Sequence, residues 1–425
     1  MTEIRVTSSP LDRYRMPALL AGVVALVLCV IGAFLSRDNF FRSYLIAFIF
    51  WWGVTMGTFG LLMLQHMVGG NWGLATRRCL EAAVKQLPLM VLFFIPLLFG
   101  LGRLYSWMHE PTDVYGQTTH FRTWWLTPGT FMLRAAIYFA IWIVMSWLLI
   151  KWSGEQDRSA DPALVQKMKA VSAPGMLILG LTITFAVVDW VMSIDSHWYS
   201  TIYGLIFIAG FSLSAMALMV LTLGALRKIE PFAHIARHDV MYDLGNLMMA
   251  LTMLWAYMSF SQLLIMWSGN TQEDAAYYWH RGIAAVGATG GAYKLPENAI
   301  PYEPGGWQWV SLFILVVNFF LPFLLLLARM NKRNVGALVK IAALVLTVRI
   351  VDIFWHVIPM FSQQTFHHEQ HQPTPLSLAS IAMVVVAVVG IGGVWLFFYI
   401  GAIKKRPLVP VHDPRLLEVA HSHGH

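Results

Sequence analysis

Ten stretches of this chain are long and apolar enough to cross a bilayer: 16–36, 43–67, 86–102, 129–150, 171–194, 201–226, 241–267, 308–328, 337–361 and 377–402. In hydrocarbon there is no water for backbone N–H and C=O groups. Each stretch must satisfy its own hydrogen bonds, and helix is the solution for segments of this length. The expected fold class is therefore all-α integral membrane, with ten transmembrane helices. Residues 1–425 form a single polytopic membrane domain, with a transmembrane region over 16–402 and a tail over 403–425. Composition agrees: 12% of residues are charged, about half the ~25% of ordinary soluble domains. The third stretch is the shortest, and Pro88 and Pro96 predict a kink in it. The apolar run after the polar residues 1–15 exceeds the ~7–15 residues of a signal-peptide core, so it reads as a retained first helix.

An even number of spans puts both termini on one side. Of the 29 Lys and Arg, Arg134 and Arg349 lie inside spans, and only Arg37, Arg42, Arg103, Arg122, Arg281 and Lys294 fall in the loops opposite the termini. The rest share the side of the termini, which the positive-inside rule makes cytoplasmic. The expected location is the cytoplasmic membrane, with the lipid bilayer as a partner. The net charge of +7 is absorbed by this topology and implies no nucleic-acid partner.

Ionisable groups inside the spans carry the functional reading. In "VRIVDIFWHVI" (348–358), Arg349, Asp352 and His356 fall within a ~60° arc of one helix face. Arg or Asp facing lipid at a helix centre costs roughly 2.5–3.5 kcal/mol each, so the stripe should look into the protein, with Arg349 and Asp352 in pairing range. Asp189 sits at similar depth in the fifth span, and Arg134 in the fourth could pair with Asp189 or Asp352. These five form an outer set. His66, Asp239 and Asp243 form an inner set, Asp239 having helix capping as its simpler explanation. The two sets read as half-paths for protons or a polar cavity, against the alternative of ion pairs that only fix helix register.

The match between "VVDWVMSI" (187–194) and "IVDIFWHVI" (350–358), four helices apart, points to a parallel repeat. It predicts a core of two four-helix bundles, spans 2–5 and 6–9, flanked by spans 1 and 10. Gly53, Gly57 and Gly60 share one face of the second span and read as a close-packing seam. The loops 103–128 and 268–307 are long and rich in Trp, Tyr, Gly and Pro, the signature of an aromatic belt or of partner contact. The histidines of "FHHEQH" (366–371) and the terminal "HSHGH" lack a four-ligand spacing and read as solvated segments.

Several chemistries have no signature. Cys29 and Cys79 are too few for a disulfide framework or a thiolate cluster. His66 and His356, the histidines in or at spans, lie at opposite membrane faces and cannot share a haem iron. There is no C-x-x-C-H, no Walker motif and no G-x-G-x-x-G after a strand. The expectation is a non-catalytic chain that binds no metal or redox cofactor of its own. Gly/Pro-broken spans in matching positions of the two halves, the mark of a secondary transporter, are not evident.

The stretches "DWVMSIDSHWYSTIYG" (189–204), "DLGNLMMALTMLWAYMSFSQLLIMWSGN" (243–270) and "RPLVPVHDPRL" (406–416) resemble the ActF-type subunits of bacterial alternative complex III, within the NrfD/polysulfide-reductase-type membrane family. The resemblance implies a role in a respiratory quinol:cytochrome c oxidoreductase. The implied partners are an ActC-like quinol-oxidising subunit, an iron–sulfur subunit and haem c subunits, with a terminal oxidase as a further candidate. Haem c and iron–sulfur clusters would reside in those partners, quinone being the one candidate ligand of this chain. Proton conduction or coupling is the role implied for such subunits. A quinol-binding subunit in its own right and a purely structural anchor are the alternatives.

Overall fold

A computed structural model describes residues 10–108, 124–159, 161–195, 198–227, 229, 238–269, 277–283, 305–365, 375–407, 410 and 413. The histidine-rich stretches 366–371 and 421–425 and most of the two long loops lie outside them. Among the described residues the regular structure is helix alone: α1 (Asp12–Leu35), α2 (Arg37–Val68), α3 (Asn71–Leu98), α4 (Pro128–Gln156), α5 (Pro162–Trp190), α6 (Tyr203–Leu226), α7 (His238–Gly269), α8 (Trp307–Leu327), α9 (Val335–Val357) and α10 (Leu378–Ile403). Local chemistry sets several starts. Asp161 accepts from Ala163 N ahead of α5, and Asn334 accepts from Gly336 N and Ala337 N ahead of α9. Pro128 and Pro162 stand where a missing N–H costs nothing.

Nine of these helices are long and apolar enough to cross a membrane. The exception is α9. At 23 residues it has the length, but it carries Lys340, Arg349 and Asp352. Its stretch from Val348 to Val357 is buried or half-buried, and the helix packs on α6, α2 and α8. The third helix also departs from the sequence expectation. It starts at Asn71, fifteen residues before the apolar run, and breaks at Lys85–Gln86. The break follows from Pro88, which cannot donate to the preceding turn. The early start follows from Arg77, Arg78 and Glu81, whose charges are paired inside the protein rather than exposed in a loop.

The centre of the molecule is the pair α2–α6. Every residue from Ser43 to Phe59 is buried, and α6 is the main neighbour of α2. The glycine seam explains the approach: a Cβ on Gly57 would stand 2.1 Å from the Phe211 carbonyl oxygen, and one on Gly53 2.2 Å from the Phe211 ring. Gly60 is looser, its nearest neighbour being 3.8 Å away. On one side of the pair lie α3, α4 and α5; on the other lie α7, α8 and α9. Helices α1 and α10 pack on each other and against α2, with Trp51 Nε1 donating to Val388 O and Trp395 Nε1 to Thr55 Oγ1.

The two sides are filled differently. Between α2 and α5 an aromatic plug occupies the interior. The Trp52 and Trp190 ring centroids are 4.8 Å apart, Trp52 and Trp142 5.6 Å, and Phe94 and Trp190 4.8 Å. Such clusters bury much apolar area in fixed edge and offset contacts. On the other side the interior holds polar groups: Asn318, Arg349 and Asp352, each at most 1% exposed. There α8 winds as a π-helix over Ile314–Phe320, with Asn318 inside the wide turn. Such turns are rare and recur at functional sites.

Candidate functional site

The helices α5 and α9 both finish at one end of the molecule, its upper face. Near the C-terminal end of α9, helical spacing stacks Arg349, Asp352 and His356, all less than 5% exposed. Arg349 Nη1 stands 2.8 Å from Asp352 Oδ2, and His356 Nε2 stands 3.8 Å from the same oxygen. The arginine–carboxylate pair is at ion-pair distance but not aligned for a hydrogen bond. Arg349 Nε and Asp352 Oδ1 have no hydrogen-bond partner among the described residues. The guanidinium lies 5.4 Å from the Trp255 ring centroid and against Gly210 of α6.

The segment after α7 covers this stripe. Arg281, 1% exposed, donates to the carbonyls of Trp355 and His356 at 3.1 and 2.8 Å, and to Tyr277 O at 2.6 Å. Those two carbonyls belong to the last turn of α9, where helix oxygens lack intrahelical donors and the macrodipole favours a cation. The Arg281 guanidinium also stacks on the Tyr277 ring at 3.5 Å. Tyr277 shares a 2.8 Å hydrogen bond with His356 Nδ1 and stacks on Trp198 at 4.2 Å. Burial pushes the Tyr277 phenol up to about 12, with Asp352 adding to and Arg281 opposing the shift. Tyr277 therefore stays neutral at ordinary pH, and with Nδ1 so engaged it is the Nε2 edge of the imidazole that stands towards Asp352.

Asp189 at the end of α5 has a different setting. It accepts from Arg134 Nε and Nη2, both at 2.8 Å, from Trp125 Nε1 at 2.9 Å and from Tyr138 OH at 2.9 Å. Arg134 also donates to Trp125 O at 2.8 Å and lies 4.1 Å from the Trp125 ring centroid. This bidentate pair leaves little unsatisfied capacity. The two aspartates thus occupy corresponding positions in α5 and α9. In each case the segment ahead of the preceding helix reaches the site: Trp125, ahead of α4, donates to Asp189, and Tyr277 and Arg281, ahead of α8, engage His356 and the last turn of α9. One site is closed, and the other keeps open valences.

The structure places Asp239 and Asp243 on the exposed side of α7, while His66 is buried near the end of α2. The buried charge at the lower face comes from residues that sequence reasoning assigned to loops and tail. Glu81 pairs with Arg77 and Arg78 at 3.1 and 2.8 Å and with Arg406 at 3.5 Å. Arg77 reaches Asp413 at 2.9 Å, with Ser153 and Gln156 at 3.0 and 2.7 Å, and Arg78 pairs with Asp157. Burial raises the Asp157 carboxyl against the pull of Arg78. The tail is therefore docked at Asp413 rather than free. Tyr277, Arg281, Trp125, Tyr138 and Asn318 were also missed. The Trp- and Tyr-rich loops were the available signal for the first three. Among the described residues no group of three or more His, Cys, Asp or Glu is arranged to hold a metal ion, and Cys29 and Cys79 are buried free thiols.

No protein-family model matches the chain, and no curated protein matches it.

Proposed function

We propose that this multi-pass membrane protein is a subunit that conducts or gates protons for a quinol-oxidising respiratory complex. In this reading it has ten spans, both termini in the cytoplasm of a bacterial cell, and redox cofactors held by partner subunits. The observation that carries the reading is the Asp352 site. A carboxylate, 1% exposed, keeps Oδ1 without a donor beside a histidine at 3.8 Å. That separation is too long for a direct hydrogen bond and suits a bridging water or hydroxyl. Intramembrane ionisable groups are costly and mark proton relays, and an imidazole is the side chain whose ordinary pKa suits such a relay. Asp352 and His356 are the relay pair, Arg349 holds the carboxylate, and Tyr277 with Arg281 fixes the imidazole. Arg134–Asp189 acts as the fixed counterpart.

The test is Asp352→Asn in the assembled complex, an isosteric change that removes the exchangeable charge. The expected outcome is a fall in turnover of roughly 10²-fold or more together with fewer protons released per quinol. Unchanged values for both would overturn the reading. A second reading, quinol binding by this chain, is favoured by the Tyr277–His356 pair lying beside the Trp198 and Trp355 rings. Photolabelling of the purified chain by an azido-quinone, lost in His356→Leu, would select it.

A further inference from the structure

A surface cleft of about 690 Å³ opens at the lower face, lined by Arg227, His238, Asp239, Met330, Arg333, Asn334 and Val335. It lies where α6 and α8 finish and α7 and α9 begin, with the short helix Arg329–Arg333 as one wall. The basic groups here are not spent on carboxylates. Neither Arg227, Arg329 nor Arg333 has an ion-pair partner among the described residues. Arg329, Lys332 and Arg333 instead gather 5.3–5.9 Å from the Tyr242 ring centroid. Lys332 is anchored on Asn246 at 2.7 Å, and His238 Nδ1 is 3.2 Å from the Arg333 carbonyl, which ties the two walls together. Asp239 is the acidic group of the lining, and its neighbour Asp243 is exposed one turn along α7. Of the cations, Arg227 and Arg333 line the cleft and exposed Arg329 stands beside it, so they outnumber the aspartates.

Directly above the cleft the surface turns apolar. Leu324, Leu327 and Met330 are 59%, 58% and 79% exposed, and Met330 belongs to both the cleft and the apolar strip. A cationic cleft at the ends of four membrane helices, continuous with an exposed aliphatic strip, matches an amphiphile with an anionic head and an acyl tail.

We propose that this cleft binds the phosphate headgroup of an anionic phospholipid, with Arg227 and Arg333 as the main headgroup contacts and the tail lying on Leu324 and Leu327. Basic pockets between membrane helices bind such headgroups through the summed attraction of Lys and Arg. The guanidinium fork suits phosphate oxygens. The proposal needs only that these helices cross the membrane and is independent of the proton reading.

Native mass spectrometry of the purified full chain tests it, with phosphatidylglycerol and phosphatidylcholine added in separate arms. One phosphatidylglycerol is expected to stay bound where phosphatidylcholine does not. Arg227→Gln with Arg333→Gln should weaken retention by roughly 30-fold, about fivefold per charge. Arg227→Lys with Arg333→Lys should keep most of it, which separates charge from fold. A control pair, Arg158→Gln with Lys167→Gln, removes two exposed cations elsewhere and should change nothing. Equal retention of both lipids, no loss in the Gln pair, or equal loss in the control pair would overturn the proposal. Displacement of the lipid by millimolar inorganic phosphate would assign the cleft to a soluble anion and overturn the lipid reading.

Discussion

The Arg349 guanidinium rests on Gly210 so closely that a Cβ at residue 210 would stand 1.8 Å from Nη2. The position of a buried charge in α9 is therefore set by the absence of a side chain in α6. Gly210→Ala should push Arg349 off Asp352 without changing any ionisable group. We expect about 1–3 kcal/mol of destabilisation from overpacking, read as a lower thermal midpoint, and a turnover defect in the assembled complex in the same direction as Asp352→Asn. A full-activity Gly210→Ala variant would show that the Arg349–Asp352 geometry is dispensable.

The closed site at Asp189 predicts the opposite balance. Arg134→Ala leaves a fully buried carboxylate with two neutral donors, Trp125 and Tyr138. Breaking one partner of a buried pair costs about 3–5 kcal/mol, so yield and thermal stability should fall sharply. Protons released per quinol in whatever complex assembles should stay unchanged. A shifted proton count at normal stability would move Arg134 and Asp189 into the relay.

Asp413 predicts a structural role for the tail. Asp413→Asn removes one of two carboxylates around Arg77, which keeps Glu81, Ser153 and Gln156. The loss should be about 2–3 kcal/mol, below the full cost of an orphaned buried charge. Ending the chain after Pro407 should produce the same shift in thermal midpoint, and a truncation without effect would refute the docking.

The Tyr277 phenol supplies a pH prediction. Its pKa is raised from 10.0 to about 12 by burial, so the folded state holds this proton more tightly than the unfolded chain. That contribution is complete below pH ~10, is lost as pH rises from there to about 12, and amounts to about 2–3 kcal/mol. Alkaline unfolding followed by circular dichroism should therefore flatten in that window in Tyr277→Phe relative to the parent.

Much of this architecture was legible because hydropathy and helical spacing are local. The stripe Arg349–Asp352–His356 needed only its own helix, and burial of those groups follows from the cost of exposing them to lipid. What was not legible involved distant partners. Arg77 and Arg78 look like loop residues until Asp413, 336 positions away, is brought against Arg77 and Asp157 against Arg78. Arg281 counted only as a loop charge, because nothing local says that it will cap α9. Asp239 and Asp243 illustrate a further limit. Spacing puts them on one face of α7, but periodicity alone does not say whether that face looks inward, and here it is the exposed one.

The backbone contact between Gly57 and Phe211 constrains how such a molecule could work. Carriers that shuttle solutes by alternating access rock one lobe against another across a slippery divide. Here that divide is where α2 and α6 lie nearly flush, and tilting one against the other would drive a carbonyl into a neighbouring main chain. Cargo that needs a swinging gate is disfavoured by that fit, whereas a particle handed between a carboxylate and an imidazole already in place asks for no such motion.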